Sequence, residues 1–245
     1  MRSFYRCLAI LLPGVVLMSL AHSDPVRVLV FDSEGGMTAR ALKALQVPHT
    51  LAAPSTYASR QVSLFDCQLA VWGMDVDQGP LNAAPERMQA FLRSGGVLLC
   101  MRMQQPPQWL ERAPTMDKAY HLGELLQPDH PLFSQPHKFA VADLAKVHGG
   151  SIYRAFYNLP AGAVPLLGAG AEQEWDKTEP ADKGAHYGIL ELPVGKGRVI
   201  FCQMIPDYGY ISDDKGAEAP AAGSWQTSWP TPARWRRSGR RRRLG

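Results

Sequence analysis

The sequence lacks the short motifs by which many enzymes are recognised. It contains no Gly-x-Ser-x-Gly nucleophile elbow and no Walker phosphate-binding loop. No Cys/His or His/Glu pair has the spacing of metal ligands. These absences argue against the common serine hydrolases, P-loop enzymes and zinc enzymes. The sequence therefore predicts no metal and no cofactor, and it assigns no catalytic residue.

Long apolar runs are also scarce. The one near the start, Cys7 to Leu20, follows Arg2 and Arg6 and precedes small residues at 21 and 23, which is typical of a secretory signal peptide over residues 1–23. The alternative is an uncleaved membrane anchor, which the shortness of the run disfavours. No later segment reaches 18 apolar residues. We expect an exported protein, periplasmic or extracellular, with no membrane contact after cleavage before Asp24.

Lysine is missing from the C-terminal segment, Ala217 to Gly245, which is rich in arginine, tryptophan and proline. Its seven arginines and one acid give it a net charge of +6, so residues 1–216 carry −2 of the chain's +4. A basic patch for nucleic acid or anionic membrane and a disordered tail are two interpretations. The third, favoured by the bias in composition, is GC-rich coding sequence read out of frame. The rest of the chain has no basic helix and predicts no nucleic-acid partner.

Cysteine is rare as well. The chain has four cysteines, and three remain after signal cleavage: Cys67, Cys100 and Cys202. An odd number argues against a full disulfide framework, although an exported protein is able to pair two of them. Since free cysteine packs as a small hydrophobe, we expect buried thiols.

The first half of the chain alternates strand and helix patterns. Apolar β-rich runs at Val26–Phe31, Asp66–Gly73 and Val97–Met101 predict strands, and a shorter one is possible at residues 49–54. Met37–Leu45 and Asn82–Gly96 have apolar residues at helical spacing. This alternation predicts a single α/β domain over residues 24–216, with a mostly parallel sheet covered on both faces.

The second half is less regular. Ala119–Leu126 predicts a short helix, and residues 151–159 and 163–170 predict strands. Two apolar runs flank Gly195-Lys196-Gly197, which predicts a β-hairpin near the end of the domain.

Together these segments resemble the class I glutamine amidotransferase-like superfamily. The resemblance rests on the order of four segments: VRVLVFDSEGG, FDCQLAVWGMD, RMQAFLRSGGVLLC and HYGILELPVGKGRVIFCQM. It is greatest to the non-catalytic branch, which includes β-galactosidase trimerisation domains and ThuA-like domains. It implies a three-layer, flavodoxin-like α/β sandwich with a C-terminal hairpin. It also implies binding or oligomerisation in a carbohydrate-processing system.

Cys100 lies where the catalytic relatives carry their nucleophile. It is flanked by Leu99 and Met101 rather than by the glycines of a strained elbow. No histidine stands where the resemblance places the activating base, and a thiolate needs one or another means of lowering its pKa. We therefore expect Cys100 to be a packing residue.

Two loops at strand ends contain candidate ligand-binding residues. Asp32, Glu34, Gly35 and Gly36 follow the first strand, and the amides from Gly35 onward are placed to cap an anion at the next helix. The alternative is a turn with an acidic helix cap.

Asp75 and Asp77 follow the third strand. They are candidates for cation binding or acid–base chemistry, and the alternative is a solvated loop.

An aromatic residue surrounded by acids is the last candidate. Trp175 lies in a polar segment with Glu172, Glu174, Asp176 and Glu179. An aromatic ring flanked by carboxylates is suited to stacking on a sugar. The alternative is a mobile surface loop.

Three functions follow from the sequence. The first, which the resemblance implies, is an exported accessory domain that binds carbohydrate or forms homo-oligomers within a carbohydrate-processing system. The second is a glycoside or glycan hydrolase that uses loop carboxylates, and the third is a truncated domain of a larger secreted enzyme.

Overall fold

The computed structural model describes residues 26–33, 35–134, 138–145, 150–181 and 183–204. The predicted signal peptide, its cleavage point, the boundary at residue 216 and the arginine-rich tail lie outside these residues. No helix in the described part of the chain has both the length and the apolar character needed to span a membrane.

Eleven strands form one sheet within the described residues. The strands are β1 Val28–Phe31, β2 Thr50–Ala52, β3 Leu69–Trp72, β4 Val97–Met101, β5 Thr115–Met116, β6 Tyr120–Leu125, β7 Ser151–Ile152, β8 Phe156–Tyr157, β9 Val164–Glu172, β10 Tyr187–Val194 and β11 Gly197–Cys202. The helices are α1 Met37–Ala44, α2 Pro54–Ala58, α3 Gln78–Asn82, α4 Pro85–Arg93, α5 Pro131–Ser134 and α6 Val141–Ala145. The chain therefore has α/β character.

The sheet is mixed rather than mostly parallel, and this corrects the expectation from the sequence. Its main path runs β2-β1-β3-β4-β11-β10-β9-β6-β7. The strands from β2 to β11 are parallel, and those from β11 to β7 are antiparallel. The reason is local: after β4 no long helix among the described residues carries the chain back across the sheet, so adjacent strands reverse direction instead.

The segment from Ala119 to Leu126 also differs from its prediction, because strand pairing outweighs its local pattern. Its leucines are spaced as in a helix, yet residues 120–125 form β6. Tyr120 pairs with Ile152 of β7 on one side and with Glu172 of β9 on the other. Pairing on both edges outweighs the weak helical preference of an eight-residue segment.

Side chains alternate across the sheet and build a core on each face. In β1, Val28 and Val30 join one apolar cluster, whereas Leu29 and Phe31 join the other. Helix α1 packs on the first face and α4 on the second. Period-two alternation at every central strand fixes the register, because a slip of one residue would exchange the two faces.

The joint between α4, β4 and β11 requires a glycine. Strands β10 and β11 pair antiparallel around Gly195 and Lys196, and β11 then runs beside β4. A Cβ on Gly197 would overlap the carbonyl oxygens of Gly96 and Leu92, which belong to the backbone. The close approach of β11 to the end of α4 therefore depends on the absence of a side chain at residue 197.

We predict that Gly197→Ala lowers the free energy of unfolding by about 2 kcal/mol, because the new methyl group displaces backbone rather than a mobile side chain. Gly35→Ala is the matched control, since a Cβ there has no atom within 4 Å. Urea unfolding at neutral pH measures both. Equal stability of the two variants would contradict the packing at this joint.

Candidate functional site

Cys100 is a core residue. Its side chain is 0% exposed and belongs to the second apolar cluster. Burial alone raises the pKa of the thiol well above its ordinary value. Such a thiol stays protonated at neutral pH and is a poor nucleophile, so the predicted packing role is confirmed.

Asp32 is buried at the carboxyl end of β1, where it caps α1. Its carboxylate accepts hydrogen bonds from the amides of Ser33 (2.7 Å) and Ala39 (3.1 Å). Burial raises its pKa, and these amide bonds offset only part of that rise. A Cβ on Gly36 or Gly73 would overlap the carboxylate, so both glycines make room for it. This arrangement matches the acidic helix cap that the sequence offered as the alternative.

The residues that follow Asp32 have different environments. The Gly36 amide donates to the Ser33 carbonyl at 2.9 Å, and Gly35 is exposed. Glu34 lies outside the described residues. A ligand-binding role for these four positions stays a prediction.

Asp77 also caps a helix. Its Oδ1 accepts a hydrogen bond from the Gly79 amide, at 3.0 Å, at the start of α3. Asp75 instead adopts a left-handed backbone conformation (φ 53°) after β3, and its amide donates to the Arg102 carbonyl. Two adjacent candidates thus have different roles: Asp77 begins a helix, and Asp75 faces the end of β4.

Asp75 and Arg102 form an ion pair at the carboxyl ends of β3 and β4. Arg102 Nη2 lies 2.7 Å from Asp75 Oδ2, with 16% and 35% of the two side chains exposed. Gln104 donates to the other carboxylate oxygen at 3.1 Å. Because this pair is partly exposed, we assign it a positioning role rather than a large contribution to stability.

An aromatic pair continues from this ion pair. The Arg102 guanidinium lies over the Tyr153 ring, 3.7 Å from its centroid, and the Tyr153 ring lies 5.8 Å from that of Trp175 at an interplanar angle of 40°. Trp175 is 56% exposed. We call Asp75, Arg102, Tyr153 and Trp175 the aromatic platform. Asp75 and Trp175 were predicted from the sequence. Arg102 and Tyr153, which lie between them and connect them, were not.

Backbone hydrogen bonds to the end of β11 position the centre of this platform. The Arg102 amide donates to the Cys202 carbonyl (2.7 Å), and the Tyr153 amide donates to the Gln203 carbonyl (2.9 Å). The buried Gln203 side chain bonds both the amide and the carbonyl of Met103. Arg102 and Tyr153 are therefore aligned by the same pair of residues, although they are far apart in sequence.

The segment that carries Trp175 is anchored rather than loose. Lys118 Nζ lies 2.8 Å from Glu172, and the Gln173 amide donates to the Ala119 carbonyl at 3.0 Å. In return, the Ala119 amide donates to Asp176 at 2.8 Å. These bonds lie directly on either side of Trp175 and fix its backbone.

A buried polar cluster around Asp117 anchors the far end of the segment. Asp117 accepts a hydrogen bond from the Ala181 amide (3.1 Å), and its Oδ2 lies 2.7 Å from His186 Nε2. His186 stacks on Tyr120 with a ring separation of 4.5 Å, and the Tyr120 hydroxyl donates to Asp117 at 3.3 Å. No motif in the sequence pointed to this cluster, because its members come from two segments, residues 117–120 and 181–186, that are far apart in the chain.

Titratable groups cluster around Asp117 and the aromatic platform, but they do not have the geometry of a metal centre. Among the described residues, no group of three or more His, Cys, Asp or Glu side chains is arranged to hold a metal ion. The arrangement is suited to presenting a fixed aromatic surface beside a carboxylate and a guanidinium.

No family model and no curated protein matches the chain. Among solved structures, it is similar to an exo-β-1,4-mannosidase from Opitutaceae bacterium strain TAV5, with 10% identity and a TM-score of 0.45 over 81% of this chain and 35% of that one. A β-galactosidase from Rahnella sp. R3 gives 14% identity and a TM-score of 0.39 over 76% and 30% of the two chains.

A GMP synthase protein from Thermoplasma acidophilum gives 11% identity and a TM-score of 0.43 over 77% of this chain and 90% of that one. In contrast, the present chain spans only about a third of the length of the mannosidase and of the β-galactosidase. Similarities of this size assign no activity to it.

We predict that Asp117→Asn lowers the free energy of unfolding by about 2 kcal/mol at pH 7, because it weakens a buried charged hydrogen-bond network. Burial raises the pKa of Asp117, but the bonds from Ala181 and His186 lower it more, so the net shift is downward. The folded state therefore holds this proton less tightly than the unfolded chain. The stabilisation is fully present above pH about 4 and is lost as the pH falls through the folded pKa.

Chemical denaturation at several pH values between about 7 and 3 measures this effect. The difference between wild type and Asp117→Asn is expected to shrink below pH about 4. Asp129→Asn is the control, because the Asp129 carboxylate forms an exposed pair with Lys138, and the substitution is expected to change stability by less than about 0.5 kcal/mol. A difference that stays constant to the lowest pH would contradict the role of the Asp117 carboxylate.

Proposed function

We propose that the protein is an exported, non-catalytic accessory domain that binds carbohydrate on the aromatic platform. The observation that carries the proposal is Trp175, a large aromatic residue that is exposed yet held against Tyr153 by bonds on both sides of it. An exposed indole normally adds unfavourable apolar surface. Its fixed orientation suggests selection for a contact.

The platform has the parts that a sugar site needs. The exposed indole of Trp175, supported by Tyr153, offers stacking surface for a pyranose ring, and Asp75 offers carboxylate oxygens to its hydroxyl groups. The Asp75–Arg102 pair keeps the polar part near neutral, which favours a neutral saccharide over a strongly charged one. Because the aromatic pair is ordered before binding, little conformational entropy is lost on complex formation.

The state of the candidate carboxylates favours binding over hydrolysis. A glycosidase of the usual kind needs two carboxyl groups free to act on opposite sides of one bond. Asp32 and Asp77 each cap a helix, and Asp75 is paired with Arg102. We therefore retain the accessory role and not the hydrolase alternative for these residues.

The proposal extends to the fold and the location. We propose a degenerate glutamine amidotransferase-like domain, with a three-layer flavodoxin-like sandwich over residues 24–216 and a hairpin at its C-terminal end. Export to the periplasm or beyond by residues 1–23 is part of the same proposal. Homo-oligomerisation and truncation of a larger enzyme stay predictions from the sequence.

We predict that Trp175→Ala weakens oligosaccharide binding about tenfold, because stacking on the indole is lost while the anchoring bonds remain. A glycan array screened with the wild-type protein selects the saccharide, and titration calorimetry then compares the variants. Phe65→Ala is the matched control, since Phe65 is a 72% exposed aromatic residue outside the platform. Failure of the wild-type protein to bind any glycan, or equal loss in both variants, would contradict the proposal.

A further inference from the structure

A second concave surface lies away from the aromatic platform. It is a groove of about 390 Å³ between the end of α4, the loop after β4, the turn after β8 and the β10–β11 turn. Arg93 and Gly195 place one end of it at the amino-terminal edge of β4 and β11, whereas the platform follows the carboxyl ends of β3 and β4. Its volume falls within the range of small-molecule sites.

The floor of the groove is apolar and built before any ligand arrives. Trp109, Leu110, Leu192 and Val194 line it. Trp109 is buried and packs edge-on against Trp72 in the second core cluster, with a ring separation of 6.3 Å. A floor that belongs to the core does not collapse when the groove is empty.

Side-chain hydrogen bonds hold the walls in place. Gln89 Nε2 of α4 donates to the Trp109 carbonyl at 3.3 Å, and the Gln108 amide donates to Asn82 Oδ1 at 3.1 Å. The loop after β4 is therefore tied to both α3 and α4. The distance between the two sides of the groove is set by these bonds.

Two arginines give the rim its charge. Arg93 and Arg112 line the groove and are exposed, and neither guanidinium group has a hydrogen-bond or ion-pair partner among the described residues. Glu111 also lies on the rim, so the three charges sum to +1. A guanidinium group without a partner at the rim of an apolar groove is suited to a carboxylate, sulfonate or phosphate group.

From this combination we propose that the groove binds a small organic anion with a flat apolar body. The apolar part packs on Trp109 and Leu192, and the anionic group meets Arg93 and Arg112. The site is separate from the aromatic platform and does not depend on carbohydrate binding there.

Two fluorescent probes of similar shape and different charge test the proposal. 8-Anilinonaphthalene-1-sulfonate carries a sulfonate, and N-phenyl-1-naphthylamine is neutral. Fluorescence titration of the full chain is expected to give a dissociation constant about tenfold lower for the sulfonate, from the added charge-assisted contacts. Equal affinity for both probes in the wild type would overturn the proposal.

Variants then locate the site. The double variant Arg93→Gln, Arg112→Gln is expected to remove the tenfold preference, whereas Arg40→Gln, an exposed arginine of α1 on the other face of the sheet, is expected to retain it. Ala161→Trp fills the groove from an exposed turn and is expected to weaken both probes about tenfold. Retention of the preference in the double variant, or unchanged binding in Ala161→Trp, would overturn the proposal.

The two sites are distinguished by measuring probe binding in a variant of the aromatic platform. Trp175→Ala is expected to leave the binding of both probes unchanged. If Trp175→Ala abolishes binding of the sulfonate, the probe occupies the aromatic platform and the groove proposal is wrong. Failure to bind glycans has no bearing on this result, because the probes contain no sugar.

Discussion

The Asp117 carboxylate connects the sheet to the surface on which the proposed function depends. It accepts hydrogen bonds from the Ala181 amide and the Tyr120 hydroxyl and lies 2.7 Å from His186, so one buried anion joins two distant segments of the chain, residues 117–120 and 181–186. A buried carboxylate is costly unless its oxygens are bonded, and here they are. The polar segment around Trp175 has little apolar surface of its own to bury. It is held in place because moving it away would leave the buried Asp117 carboxylate without its hydrogen bonds.

The change from parallel to antiparallel strands explains where the platform forms. Strands β3, β4 and β11 end at the same edge, and β11 is the point at which strand direction reverses along the sheet. The segments that lead into Arg102 and Tyr153 both bond to the end of β11. Ligand sites in open α/β sheets favour the carboxyl ends of strands near such a change in connectivity. The platform lies at such a position. It consists of aromatic side chains and an ion pair rather than a phosphate-binding turn.

Local patterns predicted the parts of this molecule that depend on short-range order. The strand after Asp66, the helix before Gly95 and the burial of Cys100 follow from apolar periodicity, and Trp175 stood out as an aromatic residue among acids. Arg102 and Tyr153 were missed, because their contact depends on β11 lying beside β4, a pairing between distant segments. The assignment of β6 as a helix failed for the same reason: its partners, β7 and β9, follow it in the chain and leave no trace in its own spacing.

The most direct measurement of the central claim is proton NMR of the protein without ligand. Nuclear Overhauser contacts between the Tyr153 ring and the Trp175 indole report whether the platform is formed before binding. The account predicts these contacts in the wild type and their weakening in Asp117→Asn, where one anchor is damaged. Absence of the contacts in the wild type, with averaged shifts for residues 173–181, would contradict a preformed platform.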